Sequence, residues 1–360
     1  MAETQPLLAV SDLKMHFPIR KGILYRVVGY VRAVDGVSFH LHRGETVGLV
    51  GESGCGKTTL ARAVIRLYKP TEGKIHLTRD DKTYDLAELN RRQLKPLRRH
   101  IQYIFQDPYS SLNARMTVQR VVAEPLIVNG VGSPQSRRER AAELLKRVGL
   151  DESMVNRFPN EFSGGQRQRI VVARALALNP EIILCDEPVS ALDVSIRAEV
   201  LNLLRKLQQE FGLSYLVIAH DMSVVDYVSE RIMVMYLGRI VEEGSRETIY
   251  TRPRHPYTEA LLSSIPVADP KVRRRGKPLG GGVPDPSNPP KGCHFHPRCP
   301  YAIEECREVD PRLEPTEEDP EVKVACIRAE DIELEGIPEA HAKRRREMRE
   351  LRTREATDAR

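Results

Sequence analysis

Four short motifs in this chain carry residue types that bind phosphate, bind a metal ion or move a proton. GESGCGKTT at 51–59 is a glycine-rich turn, and FSGGQ at 162–166 is a second turn suited to anions. IILCDEP at 182–188 is an apolar segment that ends in two carboxylates, and His220 follows a later apolar segment. Their order and spacing together predict ATP hydrolysis at a site shared between two such chains.

The first motif has the composition of a phosphate-binding loop. Glycines let the backbone curl so that successive N–H groups point at phosphate oxygens, and the helix that follows adds its positive end. Lys57 is expected to reach the β- and γ-phosphates, and the Thr58 hydroxyl to hold Mg²⁺. Cys55 is interpreted as a small filler, with a redox-sensitive thiol as the alternative. The predicted loop residues are Gly51, Ser53, Gly54, Cys55, Gly56, Lys57, Thr58 and Thr59.

The two carboxylates lie at the end of a predicted buried strand. Such strands deliver side chains to the carboxyl edge of an open sheet, where ligands bind. Asp186 is expected to hold Mg²⁺ through water, and Glu187 to polarise the attacking water. Catalysis of phosphoryl transfer depends mainly on positioning and electrostatic stabilisation, so one well-placed carboxylate is enough. The alternative interpretation is a pair of helix N-cap residues.

The bulk composition narrows the class of protein. A length of 360 residues suggests two or three domains at about 100–200 residues each, and 41% hydrophobic residues are enough for a core. The net charge of +6 favours a solvated mixed surface over a nucleic-acid or lipid-binding face. There is no apolar run of eighteen residues and no signal-peptide pattern, so a cytosolic protein with reduced thiols is expected.

The alternation of strand and helix patterns predicts an α/β fold with a mostly parallel sheet. Residues 1–250 are interpreted as one nucleotide-binding domain with a helical insert at about 107–178. Proline and glycine then accumulate, which predicts a small separate module at 251–330. Residues 331–360 form a charged tail, expected to be a solvated helix.

The set of motifs resembles an ABC-type ATPase, the nucleotide-binding subunit of an ABC transporter. The resemblance covers about residues 7–250 and implies a P-loop NTPase cassette with an antiparallel β subdomain beside the core sheet. FSGGQ is similar to the family's signature, with Phe where Leu is usual. It implies that Ser163, Gly164 and Gly165, followed by Gln166, open a helix that caps the γ-phosphate held by the other subunit.

The same resemblance assigns further site residues. Gln106 in IFQDP is similar to the residue that senses Mg²⁺ and the membrane partner, and Asp193 in SALD to the family's D-loop. His220 is similar to the switch histidine that contacts the γ-phosphate. Adenine is expected to stack on Phe17, with Tyr25 and Tyr30 as rivals.

The C-terminal third resembles the oligopeptide/dipeptide branch of the family, in RHPYTEALLSSIP at 254–266 and NPPKGCHFHPRCP at 288–300. Importers of this branch are similar in having two different ATPases, and the sequence DEPVSALDVSI is similar to that of the ATPase usually placed second. The resemblance implies peptide import at the cytoplasmic face of the membrane, with a second ATPase (a heterodimer), two permeases and a substrate-binding protein. No nucleic-acid partner is expected; the alternative is a soluble ABC ATPase acting on nucleic acid or ribosomes.

Four cysteines crowd into the last part of the C-terminal module: Cys293, Cys299, Cys306 and Cys326. A proline-rich segment with few core residues needs a cross-link to fold stably. In the cytosol a bound metal is favoured over disulfides for this purpose. Structural zinc sites prefer closer cysteine pairs, whereas a 4Fe–4S cluster accepts four thiolates at irregular spacing. The sequence therefore predicts a structural 4Fe–4S cluster, with Zn²⁺ as the alternative and unliganded thiols as the third choice.

Overall fold

The computed structural model describes residues 5–265 and 280–338, so most of the predicted charged tail lies outside the described residues. The strands are β1 (Leu8–Lys21), β2 (Arg26–Leu41), β3 (Thr46–Val50), β4 (Glu72–Arg79), β5 (Lys82–Asp85), β6 (Ile101–Ile104), β7 (Ile182–Asp186), β8 (Ser214–Ala219), β9 (Arg231–Tyr236), β10 (Arg239–Ser245), β11 (Glu314–Pro315) and β12 (Lys323–Val324). The α-helices are α1 (Lys57–Val64), α2 (Arg91–Leu97), α3 (Pro108–Ser111), α4 (Val118–Val128), α5 (Pro134–Arg147), α6 (Gly164–Leu176), α7 (Val194–Phe211), α8 (Met222–Val228), α9 (Arg246–Thr251) and α10 (Pro256–Ser263).

The described chain forms two compact units. The first contains residues 5–41, 46–88, 219–265 and 280–338. One of its sheets is antiparallel, in the strand order β2-β1-β4-β5. The long β1–β2 ladder runs from the pair Leu8↔Leu41 to the pair Lys21↔Arg26, and its outer end exposes apolar side chains.

The first unit also contains a second set of strands, built around β3. The fully buried β3 pairs in parallel with β9, and β9 continues into β10 through a two-residue turn at Leu237–Gly238. Both turn residues have positive φ, at 43° and 83°, as the right-handed twist of a tight hairpin requires. Strand β12 pairs with β10, and β11 with β12, so the C-terminal module is continuous with this unit.

The second unit contains residues 42–45 and 89–218. Its strands β6, β7 and β8 form a parallel ladder in which Ile183 pairs with both Gln102 and Tyr215. All five residues of β7 and all six of β8 are buried, which explains their continuous apolar sequences. Parallel neighbours need crossover connections, and α7 supplies the one between β7 and β8.

Helices dominate the segment between β6 and β7. Helices α4, α5 and α6 pack against one another and bury aliphatic side chains at helical spacing. The α/β class with a mostly parallel core, an antiparallel subdomain and a helical insert is therefore confirmed. Within residues 5–265 and 280–338, no helix combines the length and the apolar character that crossing a membrane requires.

Candidate functional site

The glycine-rich turn connects buried strand β3 to helix α1, as the sequence predicts for a phosphate-binding loop. Two of its glycines are required by close backbone contacts. A Cβ on Gly51 would lie 2.1 Å from the Met235 carbonyl oxygen, and one on Gly56 would lie 2.0 Å from the Ala33 carbonyl oxygen. Gly54 and Gly56 also have φ of 82° and 110°, which favour glycine. Any side chain at position 51 or 56 would therefore distort the loop.

Lys57 begins helix α1 and is only 5% exposed. Its Nζ donates to the carbonyl oxygens of Gly51, at 2.6 Å, and Glu52, at 2.9 Å. The ammonium group thus lies over the loop that it is expected to share with phosphate. Cys55 is 1% exposed, and burial raises the pKa of its thiol, which agrees with a filler role more than with redox sensitivity.

Three residues that the sequence analysis missed support this loop from late in the chain. The Gly238 N–H in the β9–β10 turn donates to the Cys55 carbonyl oxygen at 2.8 Å. The Tyr257 hydroxyl accepts from the Glu52 N–H at 2.8 Å. Arg298 binds the Glu52 carboxylate with two nitrogens, at 2.7 and 3.0 Å. Arg298 lies in the HPRCP sequence, but no local pattern there indicates Glu52 as its partner.

The two acids lie at the end of β7, in the second unit. Asp186 is fully buried and accepts a hydrogen bond of 2.6 Å from the Tyr103 hydroxyl, a contact that the sequence analysis missed. Glu187 has a φ of 48°, a left-handed conformation that is unusual for a residue with a side chain. Its Oε2 accepts from Gln106 Nε2 at 2.9 Å. The structure thus brings together two residues that were predicted from separate motifs, Gln106 and Glu187.

The signature motif opens helix α6, as predicted, and the structure adds a capping box at its start. Ser163 is the N-cap of α6: its Oγ accepts from the Gln166 N–H at 3.3 Å, and Gln166 Oε1 accepts from the Ser163 N–H at 3.0 Å. This reciprocal pair fixes the start of the helix, whose first N–H groups have no partner within the helix ladder. A Cβ on Gly165 would lie 2.5 Å from Ile196 Cγ2, whereas one on Gly164 would meet Leu192 only at 3.5 Å. A side chain at 165 would therefore force Ile196 to shift, whereas a small side chain fits at 164.

The remaining predicted residues lie at element ends. Thr58 and Thr59 are in the first turn of α1, and Asp193 is the exposed N-cap of α7. His220 is exposed and directly follows β8, in the first unit. Phe17 is half-buried in β1, and its ring meets Tyr68 edge-on at a centroid distance of 5.6 Å. The rivals Tyr25 and Tyr30 are 73% and 50% exposed in the β1–β2 hairpin.

The four clustered cysteines line one small cavity together, beside Tyr301. All are free thiols, and burial raises the pKa of Cys299 to about 11 and that of Cys326 to about 12. Among the described residues, however, no group of three or more His, Cys, Asp or Glu side chains is arranged to hold a metal ion. The predicted 4Fe–4S and zinc sites are therefore not supported by the structure as it stands.

A buried carboxyl fastens the C-terminal module to β10. Glu242 is fully buried, and its oxygens accept from the backbone N–H groups of Arg254, at 2.6 Å, and His255, at 3.1 Å. Burial raises the pKa of Glu242 to about 7, an effect that these hydrogen bonds only partly offset. The segment that leads to Tyr257 is thus held by a carboxyl group that titrates near neutrality.

Comparison with known proteins agrees with this arrangement of motifs. Residues 34–190 match the family described as ABC transporter, and residues 241–306 match the oligopeptide/dipeptide transporter C-terminal region. Among solved structures, the dimeric ATP-binding cassette MJ0796 bound to ADP and Pi is 33% identical, with a TM-score of 0.58. The match covers 66% of this chain and 98% of that one. Fold and motifs together define an ATP-binding cassette of the ABC ATPase class, as predicted.

Two relatives match along nearly their whole length. The oligopeptide transport ATP-binding protein AppF of Bacillus subtilis is 52% identical over 328 residues, which are 90% of this chain and 98% of that protein. The dipeptide transport ATP-binding protein DppF of Haemophilus influenzae is 50% identical over 313 residues, which are 87% and 94% of the two chains. The chain belongs to the family of ABC transporter ATP-binding subunits, in its oligopeptide/dipeptide branch, which confirms the predicted resemblance.

Proposed function

We propose that this chain is the ATP-hydrolysing subunit that drives an importer of dipeptides or oligopeptides. The observation that carries the proposal is the presence, in one chain, of a complete set of cassette motifs and a C-terminal oligopeptide/dipeptide region. That region is built onto the phosphate loop through Tyr257 and Arg298. The relatives named for oligopeptide and dipeptide transport support the same substrate class.

The residues divide the chemistry as follows. Lys57 and the loop N–H groups bind the phosphates of ATP, and Thr58, Gln106 and Asp186 are the residues that would hold Mg²⁺. The donor set suits Mg²⁺, because a buried carboxylate and hydroxyl or amide oxygens are hard ligands. Glu187 orients and deprotonates the attacking water, and Gln106 holds the Glu187 carboxylate by the hydrogen bond described above.

The signature helix is proposed to serve the nucleotide of a partner cassette, because α6 begins directly after its N-cap Ser163 and a helix N-terminus attracts anions. Gly164→Asp tests this, since the position tolerates a side chain but a carboxylate there would repel a γ-phosphate. We expect ATP binding to the isolated chain to be retained and ATP-dependent association to be lost. Gly164→Asn, of the same shape but neutral, is the matched control. If Gly164→Asp reduced ATP binding by the isolated chain as much as by the assembled pair, the motif would instead belong to the nucleotide site of its own chain.

The partners are proposed to be a second ATPase, two permeases and a substrate-binding protein, with this chain as the second ATPase of the pair at the cytoplasmic face of the membrane. The test is purification of the intact assembly from membranes in mild detergent, followed by mass spectrometry and by ATPase assays in liposomes. Stimulation of hydrolysis by short peptides delivered with the binding protein supports the proposal. Co-purification with nucleic acid or ribosomes, without permeases, would contradict it.

A finer proposal concerns Cys293, Cys299, Cys306 and Cys326, which we propose bind a structural 4Fe–4S cluster. Zinc holds all its thiolates at about 2.3 Å from one point, whereas a cluster binds each thiolate at a different iron. The four cysteines line one cavity, and their irregular spacing in the sequence suits a cluster better than a zinc site, which prefers closer cysteine pairs. Anaerobic purification should give a brown protein absorbing near about 400 nm with about four irons per chain. Colourless protein with one zinc, or with no metal and four titratable thiols, would overturn it.

A further inference from the structure

The phosphate loop contains one acidic side chain, Glu52, directly after Gly51. A carboxylate in a loop that binds polyphosphate is electrostatically unfavourable, because like charges oppose each other's ionised form. Glu52 is not left alone: both of its oxygens accept from the Arg298 guanidinium, at 2.7 and 3.0 Å. The two residues lie 246 positions apart in the chain, so this contact is a product of the fold.

Arg298 is held in place by more than its salt bridge. Its side chain is only 5% exposed, whereas that of Glu52 is 28% exposed. Its guanidinium lies 5.8 Å from the centre of the Tyr236 ring, and its Nε donates to the Gly280 carbonyl oxygen at 3.2 Å. Hydrogen bonding to Glu52 raises the pKa of Arg298 further above its ordinary range, so the charge is permanent. A bidentate guanidinium of this kind has little freedom to leave.

The aromatic side chains around this pair give it a rigid base. The rings of Tyr236, Tyr257 and Phe295 contact one another at centroid distances between 4.7 and 5.4 Å. Tyr257 uses its hydroxyl to accept the Glu52 N–H, so the same cluster fixes the backbone and the side chain of Glu52. Arg298 itself ends the short turn His296–Arg298, and Cys299 follows it directly.

We propose that Arg298 of the C-terminal module is a positioning residue for ATP binding: it neutralises and holds Glu52, so that the phosphate loop offers N–H groups without an opposing charge. The inference rests on the proposed binding of ATP at this loop. It follows that the C-terminal module is part of the nucleotide site and that nucleotide affinity depends on it. Nothing in the local sequence of the loop requires such a partner.

The test uses the full chain and compares four variants by displacement of a fluorescent ATP analogue, with thermal unfolding as the check on folding. Arg298→Ala should lower ATP affinity by about tenfold, because it leaves a partly buried carboxylate unpaired in the loop. Glu52→Gln should leave affinity at or above that of the unmodified chain. The double variant Arg298→Ala/Glu52→Gln should recover most of the affinity that Arg298→Ala loses. Arg307→Ala, which removes an exposed arginine paired with Glu304 in the same module, is the matched control and should have no effect.

The recovery in the double variant separates a charge effect from a merely structural one. If Arg298→Ala and the double variant lose affinity equally, or if Arg298→Ala binds ATP normally, the inference is wrong. If Arg298→Ala does not fold, Arg298→Lys supplies the answer: it keeps the charge and should bind ATP within about threefold of the unmodified chain, and a tenfold loss in a folded Arg298→Lys would also contradict the inference. Failure of the unmodified chain to bind ATP would instead refute the proposed function.

Discussion

Replacement of Glu187 by glutamine is the sharpest test of the proposed hydrolysis. The change removes the base and its charge but keeps the shape of the side chain, and Gln106 Nε2 can still donate to the new amide oxygen. Loss of the charge on one hydrogen bond costs about 1 kcal/mol in stability. Removal of a general base lowers turnover by about a hundredfold to ten-thousandfold, and a hundredfold corresponds to about 2.7 kcal/mol in the barrier. The effect on turnover should therefore exceed the effect on folding.

The assay measures steady-state phosphate release and ATP binding separately, on the same protein. We expect ATP affinity to stay within a few fold of the unmodified chain, turnover to fall at least about a hundredfold, and ATP to accumulate a stable dimer. Glu199→Gln is the control. It changes an exposed carboxylate on α7 that pairs with Arg169 on α6, and it should leave turnover unchanged. Turnover close to that of the unmodified chain in folded Glu187→Gln would refute the assignment of the base.

Three further predictions concern contacts that the structure shows and the sequence analysis did not predict. Tyr103→Phe should cost about 1–3 kcal/mol in the free energy of unfolding, because it leaves buried Asp186 without the 2.6 Å hydrogen bond; urea unfolding measures this, and a loss below about 0.5 kcal/mol would contradict it. Gly165→Ala should cost about 1–3 kcal/mol by collision with Ile196, and Ile196→Ala should restore part of it in urea unfolding; a fully stable Gly165→Ala would show that the helix start is not tightly packed. The Glu242 pKa is raised on folding from 4.5 to about 7, so the stability that this group contributes is full below pH 4.5 and is lost as pH rises through 7. Glu242→Gln should remove about 3 kcal/mol of the stability change between pH 4.5 and 8 in urea titrations, and an unchanged pH profile would refute this.

Local motifs were sufficient to predict where several helices begin and where a buried strand ends. The run from Gly51 to Thr59 needs a strand before it and a helix after it, and both could be recognised from the flanking apolar patterns. Ser163 and Gln166 are three residues apart, a spacing that by itself indicates a capping box. The strand that ends at Asp186 is buried along its whole length, as its apolar sequence predicts.

Contacts between distant segments could not be predicted in the same way. Tyr103 lies 83 residues before Asp186, and Tyr257 lies 205 residues after Glu52. Nothing in one chain's sequence states which tyrosine reaches which partner, since this depends on strand order and register. The four cysteines were recognised as a group, yet the structure shows a shared cavity without an arrangement for a metal ion.

The supports of the phosphate loop have a consequence for biosynthesis. The loop is synthesised within the first 60 residues, but the groups that hold it, at Gly238, Tyr257 and Arg298, leave the ribosome some 180 to 240 residues later. Because contacts this distant in sequence form only after the intervening chain exists, a nascent cassette cannot complete its nucleotide site early. An unfinished chain that ends before residue 298 is thus expected to bind ATP more weakly than the finished subunit, because it lacks the arginine that neutralises Glu52.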